Sequence, residues 1–247
     1  MTKEFDILST RNVMFCLYGT VGASVDGVRV GLGTEMERRL AVPLLRARGR
    51  SVSYLELADW MWDGRPQDVG EYVTDFRTRL GELGLRTALT SRDQVCRLRV
   101  EPNQVDAHRL TNRVAEAEHL DDHTAAARLR EALVLCAGEP LAGLTGRRID
   151  DYRQVLREDR RRAELALIRV DFRLGHVVHH IPKLVRLFGE RPEDTEVVTL
   201  TMFAFASAGR RVEALAVYRR SCERLIELGM KVPQRMAELV PQLESHT

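Results

Sequence analysis

The sequence predicts a mainly α chain with a small β part confined to its N-terminal end. Three observations carry this reading. Short alternating runs joined by tight-turn residues occur only before about residue 105. Beyond that point apolar residues recur at helical spacing almost without interruption. Glycine and proline then punctuate the helical stretch, with Gly175, Gly209 and Gly229 where helices should stop and Pro192 and Pro233 where they should start. At 247 residues the chain has room for one large or two small domains, and the change of pattern divides it into 1–105 and 106–247. With 44% hydrophobic and 30% charged residues it belongs among globular chains and not disordered ones.

Met14 to Tyr18 reads as a strand. Ala23-Ser24-Val25 and Val28-Arg29-Val30 read as a hairpin around Asp26-Gly27, a pair suited to a type I′ turn. Thr34 then caps a helix that runs to about Ala47, with Glu37 as its capping-box partner. Pro43 should kink or shorten that helix, because proline removes a backbone donor. Ser51-Val52-Ser53 leads into a short helix from Tyr54 to Trp62, with Ser53 and Glu56 as a second capping box and Leu55, Ala58 and Met61 on its apolar side. After the turn Asp63-Gly64-Arg65-Pro66, a third helix spans about Asp68 to Leu83, turning Tyr72, Val73, Phe76, Leu80 and Leu83 inward and ending at Gly84. Extended runs at 86–90 and 95–100, joined through Ser91 to Gln94, form a hairpin. Strands, three helices and a hairpin, in that order, make a winged helix-turn-helix. In such a module the third helix enters the DNA major groove and the hairpin lies beside it as a wing.

Beyond Glu101-Pro102-Asn103 helices are expected at about 106–119, 122–136, 149–174, 176–189, 193–208, 211–228 and 233–244. The longest irregular link is Gly138 to Leu144. The run from Gly209 to Tyr218, with Ala214 and Leu215 inside it, has the small/large pattern of a tetratricopeptide helix pair. Such pairs stack and offer a concave groove to partners.

Several local patterns, in this order and at this spacing, carry a resemblance to a known family. They are Phe15 to Gly19 followed by Val25-Asp26-Gly27; Glu37-Arg38-Arg39-Leu40 with Arg48 to Ser53; Leu57 to Trp62; Thr78-Arg79-Leu80; Pro140 to Leu144; and Glu213 to Arg219. From about Phe15 to Leu243 the chain resembles the Streptomyces antibiotic regulatory protein (SARP) family. These are activators that join an OmpR-like winged helix to an all-helical bacterial transcriptional activation domain. The resemblance implies that residues 1–105 bind DNA and that 106–247 form the activation domain. It implies a transcriptional activator of a biosynthetic gene cluster for an antibiotic or other secondary metabolite. Such a protein binds direct repeats at promoters, two protomers side by side as a homodimer on double-stranded DNA, and contacts RNA polymerase and its sigma factor.

Activity of that kind makes and breaks no bond, so it needs cations for phosphates and polar side chains for base edges. On the third helix Thr74, Arg77, Thr78 and Gly81 share one face, away from Tyr72, Val73, Phe76, Leu80 and Leu83. Arg77 is the candidate base contact, since its fork suits guanine O6 and N7, and Gly81 would allow close approach to the groove. Arg79, Arg86 and Arg65 are phosphate candidates. Arg92, at the wing tip, and Arg97 belong to the wing, while Arg38, Arg39, Arg48 and Arg50 are placed to hold the DNA backbone from the first helix and its exit. Three features depart from the family pattern. Glu71, Asp75 and Glu82 interrupt the third helix, the wing stretch Gln94-Val95-Cys96 lacks glycine, and residues 1–105 hold fifteen basic against fourteen acidic residues. These departures keep a second reading open, a protein-interaction module that retains the fold but no longer reads DNA, its helical domain binding a protein or a small regulator.

The remaining chemistry is weaker. A net charge of +2 excludes a histone-like binder. Cys16, Cys96, Cys136 and Cys222 are widely spaced among apolar neighbours and read as buried reduced thiols. His176, His179 and His180 would share a helix face, the only support for a metal protein or enzyme, but no acid or cysteine sits at a convincing fourth position nearby and Lys183 would repel a metal; an ordinary surface or packing role is expected. Trp60 and Trp62 read as packing residues, and the arginines at 153, 157 and 160–162 as a solvated helix face laced with i, i+4 pairs. No phosphate-binding glycine loop and no nucleophile motif is present, so no catalytic residue, cofactor or metal is expected. No run approaches the roughly 20 apolar residues of a membrane helix, and the polar N-terminus does not read as a signal peptide, so a cytoplasmic protein without membrane contact is expected.

Overall fold

In a computed structural model that describes residues 12–64 and 68–241, the chain begins with an antiparallel meander, β1 Val13–Cys16, β2 Gly22–Val25 and β3 Val28–Gly31. Val25 pairs with Val28 across Asp26-Gly27, whose φ values of 50° and 86° are those of the expected type I′ turn. β1 ends at Cys16. Leu17 and Tyr18, expected to prolong it, instead pair their backbones with the loop at Pro140 and Leu141.

The helix α1, Glu35–Arg46, has the predicted capping box: Thr34 Oγ accepts from Glu37 N–H and the Glu37 carboxylate accepts from Thr34 N–H. Pro43 does not shorten it. One lost hydrogen bond, the one its nitrogen would have given Arg39, is outweighed by the burial of Leu40, Val42, Leu44 and Leu45 on the core. Ser51–Ser53 is a strand in its own right, β4, and not merely a lead-in. α2, Tyr54–Trp62, is capped by Ser53 Oγ accepting from Glu56 N–H at 3.1 Å, which is half of the expected box. Its buried set is Leu57, Ala58, Trp60 and Met61, while Leu55 is 79% exposed. The spacing 57, 60, 61 fits one face of a helix, and Leu55 lies off it.

α3, Gly70–Glu82, buries Val73, Phe76 and Leu80, and Tyr72 meets Trp62 edge-on at 5.5 Å. β5, Leu89–Arg92, and β6, Val95–Leu98, are joined by Asp93-Gln94 with φ of 52° and 61°, a type I′ turn made without glycine. β6 is the middle strand of the sheet β4-β6-β5, with Ser51 opposite Arg97 and Thr90 opposite Arg97 on its other side. This is the predicted winged helix.

Among the described residues seven α-helices follow: α4 Asp106–Ala117, α5 Asp122–Leu135, α6 Arg147–Arg173, α7 Ile181–Glu190, α8 Thr195–Ser207, α9 Arg211–Glu227 and α10 Gln234–Ala237. The single helix expected over 176–189 is divided. Gly175, with φ of 79°, reverses the chain, and a 3-10 turn at Val178–His180 precedes α7, whose second residue is Pro182. Pro192 lies just ahead of α8, which Asp194 caps, and Pro233 sits at the start of α10. The helix expected to reach 244 is described only as far as 241, and α10 ends at Ala237.

Two compact units divide the chain at residues 164 and 165. In the first, a single core joins Phe15, Leu17 and Tyr18 to Leu40, Leu57, Phe76 and Leu98, and continues through Leu110, Leu141 and Leu156. Asp106, 2% exposed, is a pin in it: its carboxylate accepts from the backbone N–H of Leu17, Tyr18 and Ala107 at 2.7–3.0 Å. Burial pushes its pKa up to about 6 against the pull of those donors. Tyr18 OH donates to Leu156 C=O at 2.7 Å. The arginine run on α6 is only in part the expected solvated face: Arg157 and Arg162 are exposed and helical-spacing pairs such as Arg160–Glu164 are present, but the other arginines turn inward. Arg153 donates to the carbonyls of Pro140, Leu141 and Leu144, Arg160 donates to those of Ala137 and Gly138, and Arg161 is buried. The irregular 137–144 link has no sheet or helix to satisfy its carbonyls, and these guanidinium groups supply the donors.

In the second unit α8 and α9 pair, with Val197, Val198 and Met202 facing Ala214, Val217 and Leu225 in one core. Ala214 is fully buried in that core and Leu215 and Tyr218 pack half-buried against the core, the arrangement expected of the tetratricopeptide-like run. All four cysteines are free thiols. Cys16, Cys96 and Cys136 are buried as expected, whereas Cys222 is only half-buried.

Candidate nucleic-acid interface

The flank of α3 beside its buried Val73, Phe76 and Leu80 carries Thr74 and Thr78, both exposed, with Arg77 half-buried between them. The helix pitch sets this: residues three and four apart stand together. Thr74 Oγ donates to Gly70 C=O and Thr78 Oγ to Thr74 C=O, which leaves their oxygen lone pairs outward as acceptors. Arg77 Nε donates to Leu89 C=O at 3.3 Å, tethering the side chain to the wing strand β5. That bond uses one of the five N–H groups of the guanidinium and steadies its fork. Gly81 does not give an open approach. A Cβ placed there would lie 3.6–3.7 Å from the stem of Arg86, which covers it.

Arg79 stands among carboxylates. Glu82 pairs with it at 2.8 Å and Glu37 lies at 3.9 Å, and Asp75 and Thr78 line the same shallow hollow of about 240 Å³. The Glu82 pair is exposed and contributes at most ~1 kcal/mol, so a phosphate can displace it. Glu37 cannot withdraw, because the capping box holds it. On the wing, Arg92 is 91% exposed with Asp93 beside it at 3.2 Å. Arg97 Nε donates to Gly49 C=O at 2.5 Å, and Arg50 Nε to Ala47 C=O at 3.2 Å, so both tie down the turn between α1 and β4. Arg48 reaches Thr111 Oγ at 2.7 Å, and Arg39 reaches Glu35, Met61 C=O and Thr145 Oγ. Arg65 lies outside the described residues. The structure therefore groups Thr74, Arg77, Thr78, Arg79 and Arg86 on and around α3, places Arg92 on the wing, and commits Arg39, Arg48, Arg50 and Arg97 to contacts within the fold.

A second cluster lies at the end of α6. His180 Nε2 is 2.8 Å from Asp171 Oδ2, and His179 Nε2 is 3.8 Å from the same oxygen. The helical spacing groups the three histidines and offers no acid at a convincing fourth position. The turn at Gly175 folds 176–180 back over Asp171, with His176 N–H donating to Asp171 C=O, and so supplies the acid. His176 is not among the three residues whose ligand atoms come together. No spacing rule within one helix could have shown Asp171, since the helix ends between it and the histidines.

Fold and site together define a winged-helix protein with an exposed third helix and wing, joined to a helical segment with a tetratricopeptide-like pair. The bacterial transcriptional activator domain family matches residues 105–243, more than half of the chain, and the chain belongs to that family. It is 28% identical to the regulatory protein AfsR of Streptomyces griseus over 231 residues, 91% of this chain and 24% of AfsR. With AfsR of Streptomyces coelicolor it is 30% identical over 234 residues, 91% of this chain and 23% of that one. With the transcriptional regulatory protein EmbR of Mycobacterium tuberculosis it shares 28% over 222 residues, 83% of this chain and 56% of EmbR. The chain thus spans about a quarter of AfsR and about half of EmbR. A solved structure of Mycobacterium tuberculosis EmbR in complex with low affinity phosphopeptide superposes with a TM-score of 0.85 at 24% identity, covering 96% of this chain and 66% of that one, which establishes a shared fold. The SARP resemblance read from the sequence is thereby upheld. Among the described residues no helix is long and apolar enough to cross a membrane.

Proposed function

We propose that the chain is a sequence-specific, DNA-binding transcriptional activator of a biosynthetic gene cluster. Residues 1–105 bind promoter direct repeats as a pair of protomers, and residues 106–247 engage RNA polymerase and its sigma factor in the cytoplasm. The observation that carries the reading is the exposed Thr74–Arg77–Thr78 face of α3 beside the wing, in a chain of the bacterial transcriptional activator domain family. In this reading α3 lies in the major groove, Arg77 reads a guanine, Arg79 and Arg86 hold phosphates, and Arg92 reaches the backbone or minor groove.

The test is binding of the purified chain to promoter fragments from its own genomic neighbourhood, at several salt concentrations and against competitor DNA. One fragment should be preferred, salt should weaken binding, and Arg77→Ala should cost about 1–3 kcal/mol and relax specificity at one base pair. A folded protein that prefers no fragment at any salt refutes the proposal. One observation favours a second reading: Glu37, Asp75 and Glu82 surround Arg79 and oppose phosphate there. Under it the winged helix is a degenerate scaffold, and the helical segment binds a protein or a small regulator.

A further inference from the structure

We infer that Asp171, His179 and His180 form a site for a divalent transition metal of the zinc class. Their ligand atoms all lie within 4.8 Å of one another. A tetrahedral zinc with bonds of about 2.0–2.1 Å sets its ligand atoms roughly 3.3 Å apart. The two measured separations from Asp171 Oδ2, 2.8 and 3.8 Å, bracket that value. About half an ångström of side-chain adjustment therefore brings each imidazole nitrogen to that distance from the carboxylate oxygen, and the two nitrogens already lie within 4.8 Å of each other.

The surroundings are those of a built site with one open side. Asp171 is 1% exposed and His180 10%, whereas the His179 side chain is 57% exposed. Phe172 walls one flank, its ring 6.3 Å from that of His180 and 5.6 Å from that of Phe203. The His179 ring, 4.1 Å from His180 and 6.0 Å from His176, faces outward. Three protein ligands with an exposed fourth position are the arrangement of an open zinc site, not a closed structural one.

The donor set selects the metal class. Calcium wants six to eight oxygens, and magnesium keeps most of its waters around one or two carboxylates. Here one carboxylate faces two imidazoles; the nearby positive charge of Lys183 opposes every divalent ion alike, so the selection comes from the donor atoms. Such a site rejects hard cations and keeps the borderline ones that bind imidazole strongly: zinc, cobalt, nickel and copper. Bound there, the ion would lock the last turn of α6 to the 3-10 turn that starts α7, both within the second unit.

The test uses the full chain stripped with a chelator and zinc alone as the probe, titrated calorimetrically and against a chromophoric chelator. One zinc per chain should bind, and cobalt in its place should give the visible absorption of a four-coordinate ion. His179→Gln, at an exposed position, should weaken binding by more than the ~10–100-fold that loss of an outer-shell partner costs, with the circular dichroism spectrum unchanged. Zinc should raise the thermal midpoint of the parent and not of His179→Gln, and millimolar magnesium or calcium should do neither. His180→Gln and Asp171→Asn should behave as His179→Gln does. Two results overturn the inference. One is no zinc retained against the chelator. The other is binding that survives His180→Gln and Asp171→Asn but fails in His176→Gln, which would put the ion on exposed histidines alone.

Discussion

Gly138 is where two backbones cross with no room for a side chain, and replacing it with alanine tests the seam that holds the first strand to the 137–144 link. A Cβ at Gly138 would stand 2.7 Å from Gly19 Cα and 2.8 Å from Gly19 N. Both are backbone atoms, so no rotamer change relieves the clash. Ordinary carbon contact begins at about 3.5 Å, so the strands must part by close to 1 Å. That opens the bond from Gly19 N–H to Glu139 C=O, 2.9 Å in the native fold, and strains those from Leu141 N–H to Leu17 C=O and Ala142 N–H to Gly19 C=O. Overpacking of this kind costs about 1–3 kcal/mol, and a backbone group left unpaired about 1–3 more. Alanine returns about 0.4–1 kcal/mol by stiffening the unfolded chain. The net expectation for Gly138→Ala is a loss of about 2–4 kcal/mol, read as a lower urea midpoint at unchanged slope. Gly189→Ala is the matched control, since a Cβ there meets nothing within 4 Å in an exposed helix, and it should gain about 0.5–1 kcal/mol. A Gly138→Ala protein as stable as the parent refutes the crossing.

Gly81→Ala should also stabilise, by roughly 0.5–1 kcal/mol, because its Cβ would make ordinary contact with the Arg86 stem; a loss of DNA affinity in that variant at intact stability would show that the groove needs the bare backbone after all. Glu82→Gln should leave the urea midpoint within about 0.5 kcal/mol and, under the proposed function, steepen the salt dependence of DNA binding by up to ~0.9 in log–log slope, as Arg79 becomes free for phosphate; an unchanged slope counts against Arg79 as a phosphate contact. His108 and Asp106 should oppose each other on acidification. Burial first, and Arg48 second, lower the His108 pKa to about 4, so the unfolded chain takes up the proton first and stability falls as pH drops from about 6.5 toward 4. Asp106, raised to about 6, binds its proton first in the fold, so its contribution grows as pH drops from about 6 toward 4. His108→Gln should therefore turn a nearly flat urea midpoint between pH 7 and 4.5 into one that rises on acidification, by about 2 kcal/mol in free energy; a midpoint that falls in the variant removes Asp106 from the argument.

What the sequence shows of this fold is what local chemistry decides. Asp26-Gly27, Thr34 with Glu37, and Gly84, Gly175 and Gly209 each fix a few dihedrals within their own neighbourhood, and the structure has the turn, cap and helix ends they call for. β4 was not legible, because Ser51–Ser53 becomes a strand only by pairing with Val95–Arg97, far along the chain. Leu55 was misplaced for the related reason that a nine-residue helix offers two plausible apolar faces until something packs on one of them. Asp171 was invisible beside its histidines because a chain reversal, not a helical repeat, brings them together.

The arginines show most sharply how a sequence misleads about a site. Arg39, Arg48, Arg50, Arg97, Arg153 and Arg160 read as a cationic surface, yet each donates to a backbone carbonyl or side chain of its own fold. The reason is supply. The link at 137–144 and the turn at 47–50 leave carbonyls that neither helix nor sheet can satisfy, and a long side chain with five donors is the cheapest remedy within reach. A tally of fifteen basic and fourteen acidic residues through Val105 therefore overstates the charge available to DNA. What remains around α3 is a narrow strip of Thr74, Arg77 and Thr78, with Arg86 beside it and Arg92 on the wing. Few phosphate contacts imply weak non-specific affinity and a shallow salt dependence. Under the proposed function, discrimination then comes from the base edges under α3, and Arg77, whose Nε is anchored to Leu89 C=O, is the residue proposed to read them.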